Sequence, residues 1–235
     1  FRITMKNKNE KGFALVLSLV LLLAMSLMGG ALIVISAGDH QSNNTNDEYQ
    51  QTFYVAETAL IEGEKYLLNN FLGPYYTSGS NLGSRNQSAR NLPANQSTNF
   101  TGTMVLKNYT PAEAATWTGI SGFSTGNTCF NSFKDIDRSD FKVVVAESWN
   151  FGDLLKDSLG SELNSKEESK LRSYYYEFFL TRIGAAPFRG TGTSIKKKAT
   201  DTGNDGMAYR IYGCGIRQGA DRLIVPLEST VVLPK

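Results

Sequence analysis

The sequence predicts an α+β fold in which one long N-terminal helix packs on a C-terminal antiparallel sheet. Three observations favour this class. Residues 12–38 carry no charged side chain and are mostly apolar, which is typical of a helix that can cross a bilayer. The pattern then becomes amphipathic up to about Asn70, and runs rich in aromatic and β-branched residues follow in the second half of the chain. A long helix followed by such strands is typical of α+β domains.

The apolar segment, residues 12–38, follows a basic leader that contains Lys6, Lys8 and Lys11. An ordinary secretory signal has an apolar core of roughly 7–15 residues with a small-residue cleavage site behind it. This segment is longer and lacks such a site, so we expect it to remain in the mature protein. Lysines on its N-terminal side predict a cytoplasmic N-terminus, with the rest of the chain outside the cytoplasm.

One helix is predicted from about Phe13 to about Asn70, ending at Gly73-Pro74. Its second half has small and apolar residues at helical spacing: Phe53, Ala56, Leu60, Gly63 and Leu67. We therefore divide the chain into a leader (1–12), a transmembrane or assembly helix (13–38), the amphipathic half of the same helix (39–72) and a globular α+β domain (73–235). The amphipathic half is expected to place its apolar stripe on that domain.

The globular domain is predicted to begin with a loop, residues 73–103, and to contain a second loop over residues 184–206. Between them we expect a helical insert over Gly152–Arg172. The predicted strands are Thr103–Leu106, Phe141–Ala146, Tyr174–Ile183, Ala208–Ile216 and Leu223–Val232. The last two are expected to form an antiparallel pair, and Pro226 indicates that the final strand lies at an edge or carries a bulge.

The charge of the chain argues against nucleic acid as a partner. The first 12 residues hold four cations and one glutamate, whereas the whole chain carries +2, so the remainder is close to neutral. The basic triplet Lys196–Lys198 is best interpreted as a solvated loop.

Cys129 and Cys214 are the two cysteines of the chain. An oxidising compartment permits them to form a disulfide bond, which would close a long loop. Two separate buried thiols remain the alternative.

The sequence offers little for catalysis or metal binding, and we expect neither an enzyme nor a cofactor. His40 is the single histidine and directly follows the apolar segment, which does not suit a catalytic triad or a site with several histidines. Two acidic loops raise the question of calcium: Asp135, Asp137 and Asp140 form one, and Asp201, Asn204 and Asp205 form the other. Neither matches an EF-hand, so solvated turns are the preferred interpretation.

The N-terminal residues resemble those of the type IV pilin class. A short basic leader ends at Gly12, Phe13 follows, and a charge-free helix begins. The resemblance implies that a prepilin peptidase cleaves between Gly12 and Phe13 and methylates the new amino group of Phe13. It also implies a type IV pilin-like fold, with the N-terminal helices packed in the core of a filament.

Major pilins carry a glutamate at the fifth mature position, where this chain has Leu17. In that family the glutamate is thought to pair with the terminal amine of a neighbouring subunit. An apolar residue avoids burying an unpaired carboxylate and suits a subunit with no pilin above it.

The closest likeness within the class is to the PilX-like minor pilins. It rests on GFALVLSLVLLL at Gly12–Leu23 and on VAETALIEGEKYL at Val55–Leu67, and more weakly on Tyr209-Arg210-Ile211 and the last strand. Residues 73–172 carry no likeness. The resemblance implies a protein that primes pilus assembly at the filament tip and takes part in adhesion or in presenting a tip adhesin.

The partners so implied are other minor pilins, the major pilin, prepilin peptidase and a tip adhesin. The implied location is the inner membrane, with the domain in the periplasm, and then the pilus tip. Two alternatives stay open: the tip-type minor pseudopilin of a type II secretion system, and a single-pass membrane protein with an extracytoplasmic binding domain.

Overall fold

The structure is a computed structural model that describes residues 10–77, 79, 81–109, 128–159, 164–188, 205–219 and 222–235. The chain divides into two units, of which one ends at Glu48 and the other comprises Tyr49–Lys235. Helix α1 (Glu10–Leu72) contributes residues to both units. The predicted boundaries at residues 12, 38 and 72 separate the leader, the apolar half of the helix, its amphipathic half and the globular domain. The division into compact units does not test these boundaries.

Among the residues that the structure describes, the second unit contains a short 3₁₀ helix (Gln87–Ala89), three short α-helices and five strands. The helices are α2 (Thr128–Ser132), α3 (Phe151–Leu159) and α4 (Ser165–Leu171). The strands are β1 (Val105–Lys107), β2 (Val145–Asn150), β3 (Tyr174–Pro187), β4 (Asp205–Arg217) and β5 (Leu223–Pro234).

These strands form one sheet in the order β1-β2-β3-β4-β5. Strand β1 runs parallel to β2, and all the other neighbours are antiparallel. The predicted α+β class is confirmed in its coarse form: a long N-terminal helix packs on a mostly antiparallel sheet. The antiparallel pairing of β4 with β5 and the edge position of the strand that holds Pro226 are also as predicted.

The first half of strand β3 is buried on both sides of the sheet, which explains why it reads as an almost continuous apolar run. Alternate residues point to opposite faces of a strand. The helix face carries Tyr174, Tyr176, Phe178, Leu180, Tyr209 and Ile211, which pack with Val55, Ala59 and Leu67 of helix α1. The loop face carries Tyr175, Phe179, Tyr212, Cys214 and Ile216, which pack with Met104, Cys129, Phe130 and Ile136.

Helix α1 ends where the sequence predicts. Gly73 has φ +90°, a conformation that glycine adopts without a steric penalty, and Pro74 follows it. Two guanidinium groups from the next loop donate to the last carbonyl groups: Arg85 to Gly73 O at 2.9 Å and Arg90 to Phe71 O at 3.0 Å. The unsatisfied carbonyls of a helix end are thereby paired.

The predicted strand Phe141–Ala146 is displaced in the structure, where β2 begins only at Val145. Phe141 and Val143 instead accept hydrogen bonds from the backbone of Phe100 and Gln96. The prediction followed the apolar run, but the strand continues through Ser148 and Asn150, which are polar and fully buried. Their burial depends on partners elsewhere in the chain, and a local hydrophobic pattern does not reveal it.

Other boundaries also differ from the prediction. The loop predicted over residues 184–206 is shorter, because β3 extends to Pro187 and β4 begins at Asp205. The predicted helical insert is confirmed in its described residues, which form the two helices α3 and α4. Strand β1 begins two residues later and ends one residue later than predicted. The triplet at 196–198 lies outside the described residues.

Candidate functional site

The first unit presents a long apolar surface. The large apolar side chains between Val16 and Ile35 are each more than half exposed. Exposed apolar surface of this extent indicates contact with a non-aqueous environment or with other proteins. Within the part of the chain that the structure describes, α1 is the one helix long and apolar enough to cross a membrane.

The predicted processing residues lie at the start of this helix. Gly12 and Phe13 fall within the first turns of α1, and Leu17, the residue at the glutamate-replacing position, follows one turn later. Leu17 is 55% exposed, so whatever covers this surface contacts an apolar side chain at that position and not a carboxylate. Cleavage after Gly12 and methylation of Phe13 stay predictions, because both are chemical events that a fold does not report.

The second half of α1 docks on β4 through small residues. Ala56 and Ala59, from the segment that carries the pilin resemblance, are completely buried. Opposite them, a Cβ atom on Gly213 would come within 3.0 Å of the Ala59 Cβ, and one on Gly215 would come within 2.7 Å of the Ala56 backbone nitrogen. The alanines are therefore small because the helix backbone approaches the strand closely.

Gly63 continues this contact one turn further along the helix. A Cβ atom there would come within 2.6 Å of the Ile211 side chain. Sequence reasoning identified Gly63 as part of the helical stripe, but it missed Gly213 and Gly215. The available signal was the spacing of the two glycines in YGCGI, since residues two apart lie on the same face of a strand.

Cys129 and Cys214 form a disulfide bond, with their Cα atoms 5.8 Å apart and a sequence separation of 85. Of the two possibilities that the sequence left open, the structure has the bonded one. The bond joins α2 to β4 on the loop face of the sheet. The predicted processing residues and this disulfide lie in different units of the chain.

A buried glutamate lies beside this disulfide, and sequence reasoning did not identify it. Glu177 is 1% exposed and is paired with Cys214 in the register of β3 and β4. Its Oε1 atom accepts a hydrogen bond of 3.0 Å from Ser148 Oγ, and Oε2 has no hydrogen-bond partner among the described residues. The hydroxyl group of Tyr109 lies 2.9 Å from Ser148 Oγ, and either of these two hydroxyl groups can donate the hydrogen bond between them.

Burial raises the pKa of Glu177 to about 7, while the hydrogen bond from Ser148 and the nearby backbone of Cys129 act to lower it. Desolvation prevails because a carboxylate loses its water shell in the core and has only one good donor in exchange. The group therefore holds a proton well above the pH at which an exposed glutamate releases it. The signal in sequence was a single glutamate within the aromatic run of β3.

The acidic residues of the first loop take part in local contacts of a turn. Asp137 accepts hydrogen bonds from the backbone and hydroxyl of Ser139, which lower its pKa, and Asp140 pairs with Lys142 at 3.1 Å. Among the described residues, no group of three or more histidine, cysteine or acidic side chains is arranged to hold a metal ion. Asp201 and Asn204 of the second loop lie outside those residues. His40 is exposed on α1.

Comparisons with models of known protein families, with curated proteins and with solved structures find no match to this chain.

Proposed function

We propose that this chain is a PilX-like minor type IV pilin that helps to prime pilus assembly at the filament tip and takes part in adhesion or adhesin presentation. The observation that carries the proposal is helix α1. It joins an exposed, charge-free apolar segment, without a break, to a small-residue stripe that packs on an antiparallel sheet. A helix of this kind suits a subunit that is first anchored in a membrane and, after assembly, packs its apolar half against other helices.

The leader, the cleavage site and the apolar segment provide a mechanism for membrane insertion, processing and assembly of the subunit. The lysines of the leader hold it in the cytoplasm, and the domain then lies in the periplasm, where a disulfide is stable. Cleavage after Gly12 removes the leader and leaves Phe13 as the methylated terminus. The apolar segment next exchanges lipid for the helices of other minor pilins and of the major pilin. At the fifth position of the mature chain, Leu17 adds no unpaired carboxylate, which suits a subunit at the tip.

The test of the proposal is the mature N-terminus. We expect that co-expression of the full chain with a prepilin peptidase gives a product that begins at methylated Phe13, as read by intact-mass and peptide mass spectrometry. Gly12→Ala should block this processing. Gly38→Ala is the matched control, since a Cβ atom at Gly38 has no neighbour within 4 Å, and it should be processed normally.

An intact leader, or cleavage near Gly38, would overturn the proposal and favour a single-pass membrane protein with an extracytoplasmic binding domain. Normal maturation of the Gly12→Ala variant would count equally against it.

The helices α3 and α4, inserted between β2 and β3, favour the second candidate, a tip-type minor pseudopilin of a type II secretion system. By resemblance such tip subunits carry a helical insertion, although a larger one than this. Deletion of the gene separates the two functions. Loss of surface pili with normal exoprotein release supports the minor pilin, and the reverse result supports the pseudopilin.

A further inference from the structure

A row of side chains on the loop face of the sheet joins a carboxyl group to the disulfide bond. In the register of the strands, Ser148 of β2 lies opposite Glu177 of β3, and Glu177 lies opposite Cys214 of β4. Side chains at directly opposite positions point to the same face, with their Cβ atoms roughly 4.5–5.5 Å apart. Cys129 reaches this row from α2 and is bonded to Cys214. Glu177 therefore lies between a hydroxyl group and the sulfur atoms of the disulfide.

Glu177 lies close to the second cysteine as well. Cys129 Sγ is 3.9 Å from the Glu177 carbonyl oxygen, and the Cys129 backbone lies near enough to the carboxyl group to lower its pKa. Both cysteines are completely buried, and Glu177 is 1% exposed. The Glu177 Oε2 atom has no hydrogen-bond partner among the described residues. A carboxyl group with a free oxygen thus shares one buried cluster with both sulfur atoms.

The described groups that face Glu177 carry no charge at neutral pH. Those from the elements packed against it are Ser148 of β2, Cys214 of β4, Cys129 of α2 and, through Ser148, Tyr109 of the segment after β1. The next positions on the same face of β3 and β4 are Tyr175, Phe179, Tyr212 and Ile216. Tyrosine hydroxyl groups and cysteine thiols ionise only above neutral pH. Within this described cluster, Glu177 is therefore the group that accepts a proton near pH 7.

We propose that Glu177 is the proton acceptor for closure of the Cys129–Cys214 disulfide bond, with a small-molecule or protein disulfide as the oxidant. Cys129 first loses its proton to solvent and attacks one sulfur of the oxidant. A mixed disulfide forms, and the other half of the oxidant leaves as a thiolate. The Cys214 thiol then transfers its proton to the Glu177 carboxylate, and the Cys214 sulfur attacks Cys129 Sγ. The bond between Cys129 and the oxidant breaks, and the departing thiolate takes a proton from solvent.

The two steps balance, since two cysteine thiols are oxidised to one disulfide while the oxidant is reduced to two thiols. Cys129 makes the first attack because α2 is a five-residue helix of the cover, whereas Cys214 lies within β4, between β3 and β5. Cys214 makes the second attack because the register places it beside Glu177.

Burial makes Glu177 a suitable base for this second step. Its carboxylate has lost its water shell, so it gains from binding a proton, and its pKa is raised to about 7. The attacking form of cysteine is the thiolate, which an ordinary thiol reaches only near pH 8.5. A base beside the thiol therefore accelerates the attack at neutral pH. After closure, the proton remains on Glu177 as a neutral buried carboxyl group.

The proposal is tested by following bond closure in the full chain in detergent micelles. The reduced chain is mixed with oxidised glutathione between about pH 5.5 and about pH 9, a range that spans the ionisation of Glu177 and of an ordinary thiol. Samples are quenched with acid, free thiols are alkylated, and mass spectrometry separates the mixed disulfide from the closed bond. The decay of the mixed disulfide gives the rate of closure separately from the rate of the first attack.

The parent and two variants should differ in their pH profiles. Closure in the parent should accelerate up to about pH 7 and then level off, because the proton acceptor is then ionised. Glu177→Gln should close at least about tenfold more slowly at pH 7 and should approach the parent rate near pH 9, where the thiol itself ionises. Glu177→Asp keeps a carboxylate and should level off as the parent does. The first attack should have the same rate in all three proteins.

Two further variants serve as controls. Glu228→Gln makes the same chemical change at an exposed position of β5, and it should close like the parent. Phe130→Leu alters packing next to Cys129 but keeps the carboxyl group, so its profile should still level off near pH 7.

Equal closure rates for the parent and Glu177→Gln at pH 7 would overturn the proposal. A Glu177→Gln defect that persists at pH 9, or that slows the first attack, would show a structural role for Glu177 and would overturn it equally. The profile of the parent needs no variant, so it decides the question even if Glu177→Gln fails to fold. A parent rate that keeps rising from pH 7 until the thiols ionise would exclude Glu177 as the proton acceptor. The proposed pilin function does not enter these outcomes, because they concern only the second unit.

Discussion

The two faces of the sheet are buried by different means. On the helix face a regular element, α1, lies so close to β4 that glycine and alanine are required at the contact. On the loop face an irregular chain covers a cluster of aromatic rings, among them Phe130, Phe133, Phe179 and Tyr212, and one disulfide joins that cover to β4. Close packing of small residues therefore holds α1 on the helix face, whereas a disulfide bond holds the covering segment on the loop face.

The same contrast holds for polar groups. Each face has one buried oxygen that lacks a hydrogen bond among the described residues: Tyr176 Oη on the helix face and Glu177 Oε2 on the loop face. Burial raises the pKa of both groups, but only Glu177 titrates near neutral pH. The loop face is therefore the one whose stability we expect to respond to pH and to reducing agents.

The largest expected effect comes from removal of the disulfide. The double variant Cys129→Ala with Cys214→Ala should lose about 4–5 kcal/mol of unfolding free energy, because the bond closes an 85-residue loop in the unfolded chain. Chemical denaturation of the full chain in detergent micelles, followed by tryptophan fluorescence, measures it. Phe130→Leu is the control, since it alters packing beside the bond and leaves the bond intact.

Hydrogen exchange shows which of the two faces of the sheet loses protection when the disulfide is removed. In the double variant, the amides of Gln96 and Phe100, which bond to the chain at 141–143, should lose protection. The amides of α1 around Ala59 should keep most of theirs. Equal loss on both faces would show that the two covers do not act independently.

A single added methyl group on β4 should disrupt the packing of α1 on the helix face of the sheet. Gly215→Ala places a Cβ atom against the Thr52 carbonyl oxygen and the Ala56 backbone, neither of which is a flexible side-chain end. We expect a loss of about 3–4 kcal/mol, at the upper end for overpacking, because a whole helix has to shift. The same denaturation experiment measures it.

Gly219→Ala is the matched control for this variant. A Cβ atom at Gly219 comes no closer than 3.8 Å to any described neighbour, so that variant should unfold like the parent protein. If Gly215→Ala were as stable as Gly219→Ala, close approach would not explain the small residues of the helix.

Sequence reasoning found the helix face more readily than the loop face. The spacing of Ala56, Leu60 and Gly63 predicts that they lie on one face of a helix, because a helical stripe depends only on residues close together in sequence. The docking partners Gly213 and Gly215 were missed because a close backbone approach becomes visible only when two distant segments meet. The end of α1 was predictable because Gly73 and Pro74 act locally.

The loop face could not be predicted from the sequence, because no local pattern marks the segments that cover it. Its cover has no period, and the buried polar residues Ser148 and Glu177 look like surface positions in a strand pattern. The cysteines indicated a candidate bond but not its consequence, which is to hold the cover over Glu177. The candidate processing residues were found from a resemblance at the N-terminus, and their chemistry remains a prediction.

The smallest of the three effects is the pH dependence of the loop face. Folded Glu177 has a pKa of about 7, above the ordinary value near 4.5, so the folded state binds more protons than the unfolded state between these values. Stability from this group is thus fully present below about pH 4.5 and is lost as the pH rises through 7. From pH 4 to pH 8, the stability of Glu177→Gln relative to the parent should rise by about 3 kcal/mol.

Glu168→Gln supplies a control of opposite sign. Hydrogen bonds from Lys156 and Arg172 lower the pKa of Glu168, so its stabilising effect is present above the ordinary glutamate pKa and is lost as the pH falls. Its variant should therefore lose stability relative to the parent as the pH rises, whereas Glu177→Gln gains. Parallel curves for Glu177→Gln and the parent across this range would mean that the carboxyl group is solvated. In that case the loop face would be no more sensitive to pH than the helix face.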